Sequence, residues 1–330
     1  MARADLLLDL VRSGAKGEKM RFRKALEAMV AEERGKQHHI LADRLASHLQ
    51  QSEGSNSISS PTLRNGINGN LFHEINPTRR LDSLILPNIV YNSCLELIQE
   101  HNRTDILRAH NLEPRHRVLL VGPPGNGKTS LAEALATELA LPLLVVRYES
   151  VIASFLGETA VRLSRLFDEV RTRRCLLFFD EFDVVGKERG DVHETGEIKR
   201  VVSSLLLQID DLPSHVIVVT ATNHPELLDT AVWRRFQLKL GLPNPSLAQI
   251  QEWFVRFEQR LEVSLSYSPN TLAKRLKRLN FSDLEQFSLD VQRQYILSLP
   301  EVNMRQLIKE RLSQWEKRYT LKNDNKANNA

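Results

Sequence analysis

Apolar residues recur along the first 50 positions at the three-to-four-residue spacing of an amphipathic helix. Leu6, Leu7, Leu10 and Val11 form one stripe, Phe22, Leu26, Met29 and Val30 a second, and Ile40, Leu41, Leu45 and Leu49 a third. Gly14 and Gly17 fall between the first two and mark a turn. Stripes this short cannot close a core of their own, so 1–50 predicts a helical module that packs on itself or on a partner. Over 51–71 Ser, Asn and Gly dominate, Pro61 interrupts and apolar residues are scarce. Such a segment buries too little surface to offset its ordering entropy and predicts a flexible linker.

From residue 72 the period changes. Runs that are apolar at nearly every position, at 118–121, 143–146, 175–179 and 216–220, alternate with helix-length amphipathic segments. A strand covered on both faces requires such a run, so 72–242 predicts an α/β core with a parallel sheet flanked by helices. Beyond Pro243 and Pro245 the strand pattern stops. Residues 243–320 read as a small all-α domain carrying the basic clusters Lys274-Arg275 and Lys277-Arg278, and 321–330 as a frayed polar tail.

Composition narrows the class. A chain of 330 residues suggests about two domains. With 42% hydrophobic and 26% charged residues it is ordinary globular material, long enough for a core without disulfides or metals. Cys94 and Cys175 are the only cysteines, which excludes a disulfide framework and a four-cysteine zinc site. Met1 to Asp5 and the short apolar run before Asp9 do not resemble a signal peptide, and no apolar stretch approaches the length of a membrane span. The expectation is a soluble, cytoplasmic protein without a membrane partner. A net charge of +4 is too small to argue for nucleic acid by itself. His38-His39 is read as surface polarity, because neighbours on a helix diverge by about 100° and do not chelate one ion easily.

The chemistry lies in the α/β core. Gly122-Pro123-Pro124-Gly125-Asn126-Gly127-Lys128-Thr129 fits G-x-x-x-x-G-K-[ST], follows an apolar strand and opens a helix at Ser130. Glycines let successive N–H groups face a polyphosphate, and the helix N-terminus adds positive potential. In this motif Lys128 reaches the β- and γ-phosphates of ATP and Thr129 ligates Mg²⁺. Asp180-Glu181 ends the next buried run, which delivers both carboxylates to the sheet's carboxyl edge. Asp180 is suited to the Mg²⁺ shell and Glu181 to deprotonating the attacking water. Asn223, after the run at 216–220, reaches the same edge, where its amide can position that water. Arg234 and Arg235 are candidates for the charge that builds on the γ-phosphate, provided a neighbouring subunit brings them to the nucleotide; surface charge is the alternative.

The order of these motifs resembles the AAA+ ATPases, specifically the AAA subfamily proper of katanin, spastin and the AAA proteases. The likeness covers roughly 75–300 and includes the lead-in Leu81-Asp82-Ser83-Leu84-Ile85-Leu86-Pro87 and the stretch from Asn223-His224-Pro225-Glu226-Leu227-Leu228-Asp229 to Phe236. It implies that 122–129 is Walker A, Asp180-Glu181 Walker B, Asn223 sensor 1, and Arg234 and Arg235 arginine fingers. It further implies a helical lid at 243–320 and a homo-oligomeric ring, usually a hexamer, with ATP at each subunit interface. Phe155-Leu156-Gly157, within Ser154 to Glu158, resembles the aromatic pore loop that grips polypeptide in the ring channel; a short core helix is the alternative. Arg189 to Arg200, with Glu197 and Arg200, resembles a second pore loop, a solvated face being the alternative. Asp210-Asp211-Leu212 stands where relatives often carry Asp-Gly-Phe, and Asn280-Phe281-Ser282-Asp283-Leu284 resembles the lid's Gly-x-x-x-Asp segment without its glycine.

These features predict an ATP-driven unfoldase or remodelling ATPase that threads a protein substrate through a ring. The sequence carries no His-Glu-x-x-His helix and no recognisable serine triad, so a protease partner is expected on a separate chain. A nucleic-acid-associated AAA+ ATPase, a loader or transposition helper, is the competing reading; the basic lid favours it and the aromatic pore element weighs against it.

Overall fold

The computed structural model describes Ala28 and residues 71–147, 156–183 and 203–327, with backbone alone at 156, 157 and 318–327. The chain divides into two compact units, Met1–Asn68 and Gly69–Ala330. The helical stripes of 1–50, the linker, Phe155 and the segment Arg189 to Arg200 lie outside the described residues.

Six strands form one sheet in the order β1-β3-β4-β5-β2-β6: β1 (Phe72–Ile75), β2 (Arg117–Val121), β3 (Leu143–Val146), β4 (Cys175–Phe179), β5 (Val216–Thr222) and β6 (Leu238–Gly241). Every residue of β4 and β5 is buried, as expected of central strands covered on both faces. Alternation divides them between two cores. Leu177, Phe179 and Val218 face a layer with Leu163, Phe167 and Val170 of α4 (Leu156–Arg171). Leu176, Phe178 and Val219 face Leu97 of α1 (Asn88–Asn102) and Leu131 and Leu135 of α3 (Lys128–Glu138). Between α1 and β2 lies the short helix α2 (Thr104–Ala109).

All pairings are parallel except β1 on β3, which is antiparallel with Phe72 opposite Val146. The sheet is therefore mostly parallel, as the fully apolar runs predict. An edge strand of four residues, with His73 and Glu74 exposed, needs no second buried face and can enter in either direction. Leu71 packs on the first core and accepts the Arg147 N–H at 3.0 Å, so it belongs to the sheet domain and not to the linker. Val161 is 50% exposed because the stripe of α4 that faces the sheet is Leu163, Leu166, Phe167 and Val170. Both thiols are buried, which pushes the pKa of Cys175 up to about 11 and of Cys94 to about 12 and leaves them protonated at neutral pH.

After β6 the chain builds a C-terminal region of four helices, where the lid was expected: α6 (Leu247–Leu261), α7 (Pro269–Arg275), α8 (Phe281–Leu297) and α9 (Met304–Ala327). Side chains define their starts. Ser246 and Gln249 form a reciprocal capping box on α6, Ser268 caps α7, and Asn280 caps α8. Ile250, Phe254, Phe257, Leu272, Leu284, Phe287, Ile308 and Trp315 fill a core separate from those of the sheet. The polar residues from 321 onward were expected to fray, yet α9 runs to Ala327. No Gly or Pro interrupts 304–327, so nothing in the backbone stops the helix sooner. Among the described residues no helix is long and apolar enough to cross a membrane.

Candidate active site

Three parallel strands end side by side and place their following residues at one edge of the sheet. β2 runs into the loop 122–127, which is tied to the end of β5 by Gly122 N–H donating to Thr222 O at 3.3 Å. Gly122 passes so close to the start of the lid connection that an added Cβ would lie 2.1 Å from Leu242 O. Gly127, at φ +83°, is the left-handed N-cap of α3, and no side chain caps that helix. The N–H groups of Gly125, Asn126, Gly127, Lys128 and Thr129 donate to no protein acceptor among the described residues. Five convergent donors at a helix N-terminus form a seat for an anion.

Lys128 is 7% exposed and uses all three protons: Nζ donates to Gly122 O at 2.7 Å, Pro123 O at 3.1 Å and Asn223 Oδ1 at 2.6 Å. Burial lowers its pKa, opposed by the carboxylates of Asp180 and Asp183. A phosphate replacing Asn223 as an acceptor would free that amide for water. Thr129 Oγ1 donates to Asp180 Oδ2 at 2.9 Å. Two hard oxygens at that spacing match one edge of an octahedron with metal–oxygen distances of about 2.1 Å, the geometry of Mg²⁺. Among the described residues no cluster of three or more His, Cys, Asp or Glu could cage a metal alone, consistent with an ion that keeps waters and substrate oxygens.

Glu181, next along, is exposed and held at φ +50°, a left-handed conformation unfavourable for a residue with a Cβ. Its N–H donates to Asp180 Oδ1 at 2.9 Å, and the following Phe182 N–H bonds Ala221 O at 2.8 Å, which fastens the turn to β5. Asp183 is a residue the sequence reading missed. Its carboxylate is 6% exposed and accepts Thr222 Oγ1 at 2.9 Å and Asn223 N–H at 3.3 Å, so it orients the residue that contacts Lys128. The signal was present as a third acid two positions after Glu181, separated from it by an apolar residue. Ser130 is half-buried in the first turn of α3 and makes no side-chain bond among the described residues.

Arg234 and Arg235 do not join this group. They end α5 (Thr230–Arg235), which precedes β6, and Gln237 N–H donates to Arg117 O at the opposite end of β2 from Gly122. Five residues of strand, about 17 Å, separate that end from the phosphate loop. The two guanidiniums also differ. Arg235 Nε donates to Asp210 Oδ2 at 2.7 Å while Arg117 binds the other oxygen, whereas Arg234 is exposed and has no ion-pair partner among the described residues. Leu156 and Gly157 open α4 and so have helical backbone, a correction to their placement on a loop. Glu158 in that first turn favours the helix through its charge and pairs with Arg162.

The family profile described as "ATPase family associated with various cellular activities (AAA)" matches residues 118–244. An AAA family ATPase of Sinorhizobium fredii, y4kL, is 34% identical over 291 residues, covering 86% of this chain and 87% of that protein. The chain belongs to the AAA family of ATPases. Shorter similarities reach the peroxisomal ATPase pex6 of Schizosaccharomyces pombe, 39% identical over 39% of this chain and 14% of that one. A putative 26S proteasome regulatory subunit homologue of Methanothermobacter marburgensis is 28% identical over 65% of this chain and 58% of its own.

This AAA ATPase therefore binds nucleotide and hydrolyses ATP. Asp183 touches this group of residues through Asn223. Asp183→Ala is expected to lower kcat about tenfold with nucleotide affinity little changed. It should also cost about 2 kcal/mol of stability, because the Thr222 hydroxyl and Asn223 N–H lose their acceptor. Phosphate release, nucleotide titration and denaturant melts would read the three quantities separately.

Proposed function

We propose that this AAA ATPase is a ring-forming remodelling machine that pulls polypeptide through its channel. The observation that carries this reading is the position of Arg234. It lies across the sheet from its own phosphate loop, exposed and without an ion-pair partner among the described residues, so it serves a nucleotide only on a neighbouring copy. A ring, of the hexameric kind, is the closed arrangement in which each copy gives and receives one such residue.

In each site the N–H groups of 125–129 and Lys128 would hold the ATP phosphates. Thr129 and Asp180 would hold Mg²⁺, which supplies Lewis-acid stabilisation of the developing charge. Glu181 would take the proton of the attacking water, and Asn223 would orient it. The step breaks the bond between the γ-phosphorus and its bridging oxygen and yields ADP and inorganic phosphate. Phe155, immediately before α4, would grip substrate by apolar contact, which is tolerant of sequence. The similarity to a protein named as a proteasome regulatory subunit homologue supports a protein substrate, passed where required to a separate protease.

Phe155→Ala tests the mechanical half of the proposal. Unfolding of a fluorescent substrate per ATP hydrolysed is expected to fall at least tenfold. An unchanged ratio would reject Phe155 as the gripping residue.

A further inference from the structure

The phosphate loop also makes bonds on the side facing the lid. Pro124 O accepts Asn280 Nδ2 at 3.2 Å, Gly125 O accepts Ser282 N–H at 2.9 Å, and Asn126 Nδ2 donates to Asn244 Oδ1 at 2.9 Å. Asn280 lies against the loop so closely that a Cβ added to Gly125 would be 2.6 Å from its Nδ2. Its other side-chain atom, Oδ1, accepts Asp283 N–H at 2.7 Å and so caps α8.

A trans peptide unit points its C=O and N–H in opposite directions. The 124–125 unit gives its carbonyl to Asn280, and its N–H, on Gly125, has no protein acceptor among the described residues. The 125–126 unit gives its carbonyl to Ser282, and the Asn126 N–H is equally free. An anion accepting from those two N–H groups polarises both units and makes their carbonyls better acceptors.

We infer that Asn280 is a positioning residue through which occupancy of the phosphate loop tightens the lid, with the 124–125 and 125–126 peptide units as the physical link. This inference rests on the loop being the nucleotide site. Coupling of this kind is reciprocal: whatever factor nucleotide adds to the lid contact, the lid contact adds to nucleotide affinity.

The two roles of Asn280 separate by substitution. Asn280→Ser keeps an N-cap acceptor of equal quality and the same charge but has no amide to reach Pro124 O, whereas Asn280→Ala loses both. Ser282→Pro removes the second donor at a first-turn position that tolerates proline. The experiment measures ADP affinity and ADP-induced amide protection across α8 on the full chain.

In the parent, ADP is expected to slow exchange at the first turn of α8. Asn280→Ser is expected to keep the melting temperature of the nucleotide-free protein, bind ADP about fivefold more weakly and lose most of the protection gain. Ser282→Pro should do the same, and supplies the result should Asn280→Ser not fold. Asn280→Ala should melt earlier as well, by the loss of the cap. Parental affinity together with a parental protection gain in Asn280→Ser and Ser282→Pro would overturn the inference, as would loss of one quantity without the other. Failure of the parent to bind ADP would instead reject the nucleotide-site reading.

Discussion

Glu181→Gln is expected to bind ATP with near-parental affinity and to hydrolyse it about a thousandfold more slowly, the scale of a lost general base. The carboxylate stands two residues after β4, is exposed to solvent and sits in a left-handed turn fastened by the Phe182 N–H bond to Ala221 O. An amide of the same shape preserves that turn and cannot accept the water's proton. The anion seat at 125–129 is untouched, so binding and turnover should part company. A fluorescent ATP analogue and phosphate release measure the two. Hydrolysis at the parental rate would remove Glu181 from its role. Because the variant holds ATP, pull-down from a lysate with it would also retain substrates for identification.

Arg234→Ala should lower kcat about a thousandfold at saturating ATP while leaving affinity within a fewfold, the scale associated with a guanidinium supplied to phosphoryl transfer. The decisive form of the experiment mixes it with Lys128→Ala. Each variant alone is nearly inactive: one has intact cradles and no finger, the other has fingers and no functional cradle. A mixed assembly contains interfaces where an intact cradle meets an intact Arg234, so activity should reappear on mixing. Absence of that recovery, together with parental activity of Arg234→Ala alone, would place the site within one copy and end the ring proposal. Arg235 has a different part. Its ion pair to Asp210, shared with Arg117, anchors the end of α5 to the start of β2 and holds Arg234 outward. Phe236 continues the anchor through an edge-to-face contact with Phe182, 6.2 Å between centroids, beside Glu181.

Much of this arrangement was legible in the amino-acid order. The apolar runs at 118–121, 143–146, 175–179 and 216–220 coincide with β2 to β5 because strands covered on both faces have no polar positions to disguise them. The phosphate loop was legible because its chemistry is contained in eight consecutive residues. β1 was not, since a half-exposed edge strand of four residues carries little pattern. Asp183 and the loop contact of Asn280 were missed for a different reason. Asp183 acts on residues 39 and 40 positions away, and Asn280 bonds a carbonyl 156 positions away, so no local spacing records either contact.

By itself the sequence determined which segments form the central strands β2 to β5, where the backbone can curl around a phosphate, and which side chains carry acid, amide and guanidinium groups. These follow from steric and solvation preferences that act within a few residues. Only the tertiary structure decided that Arg235 is bound to Asp210 and Arg234 exposed, that Asn223 rests on a buried carboxylate, and that the lid touches the phosphate loop through two peptide units. Each depends on distances in space between groups far apart along the chain, and electrostatic and hydrogen-bond energies depend on those distances alone.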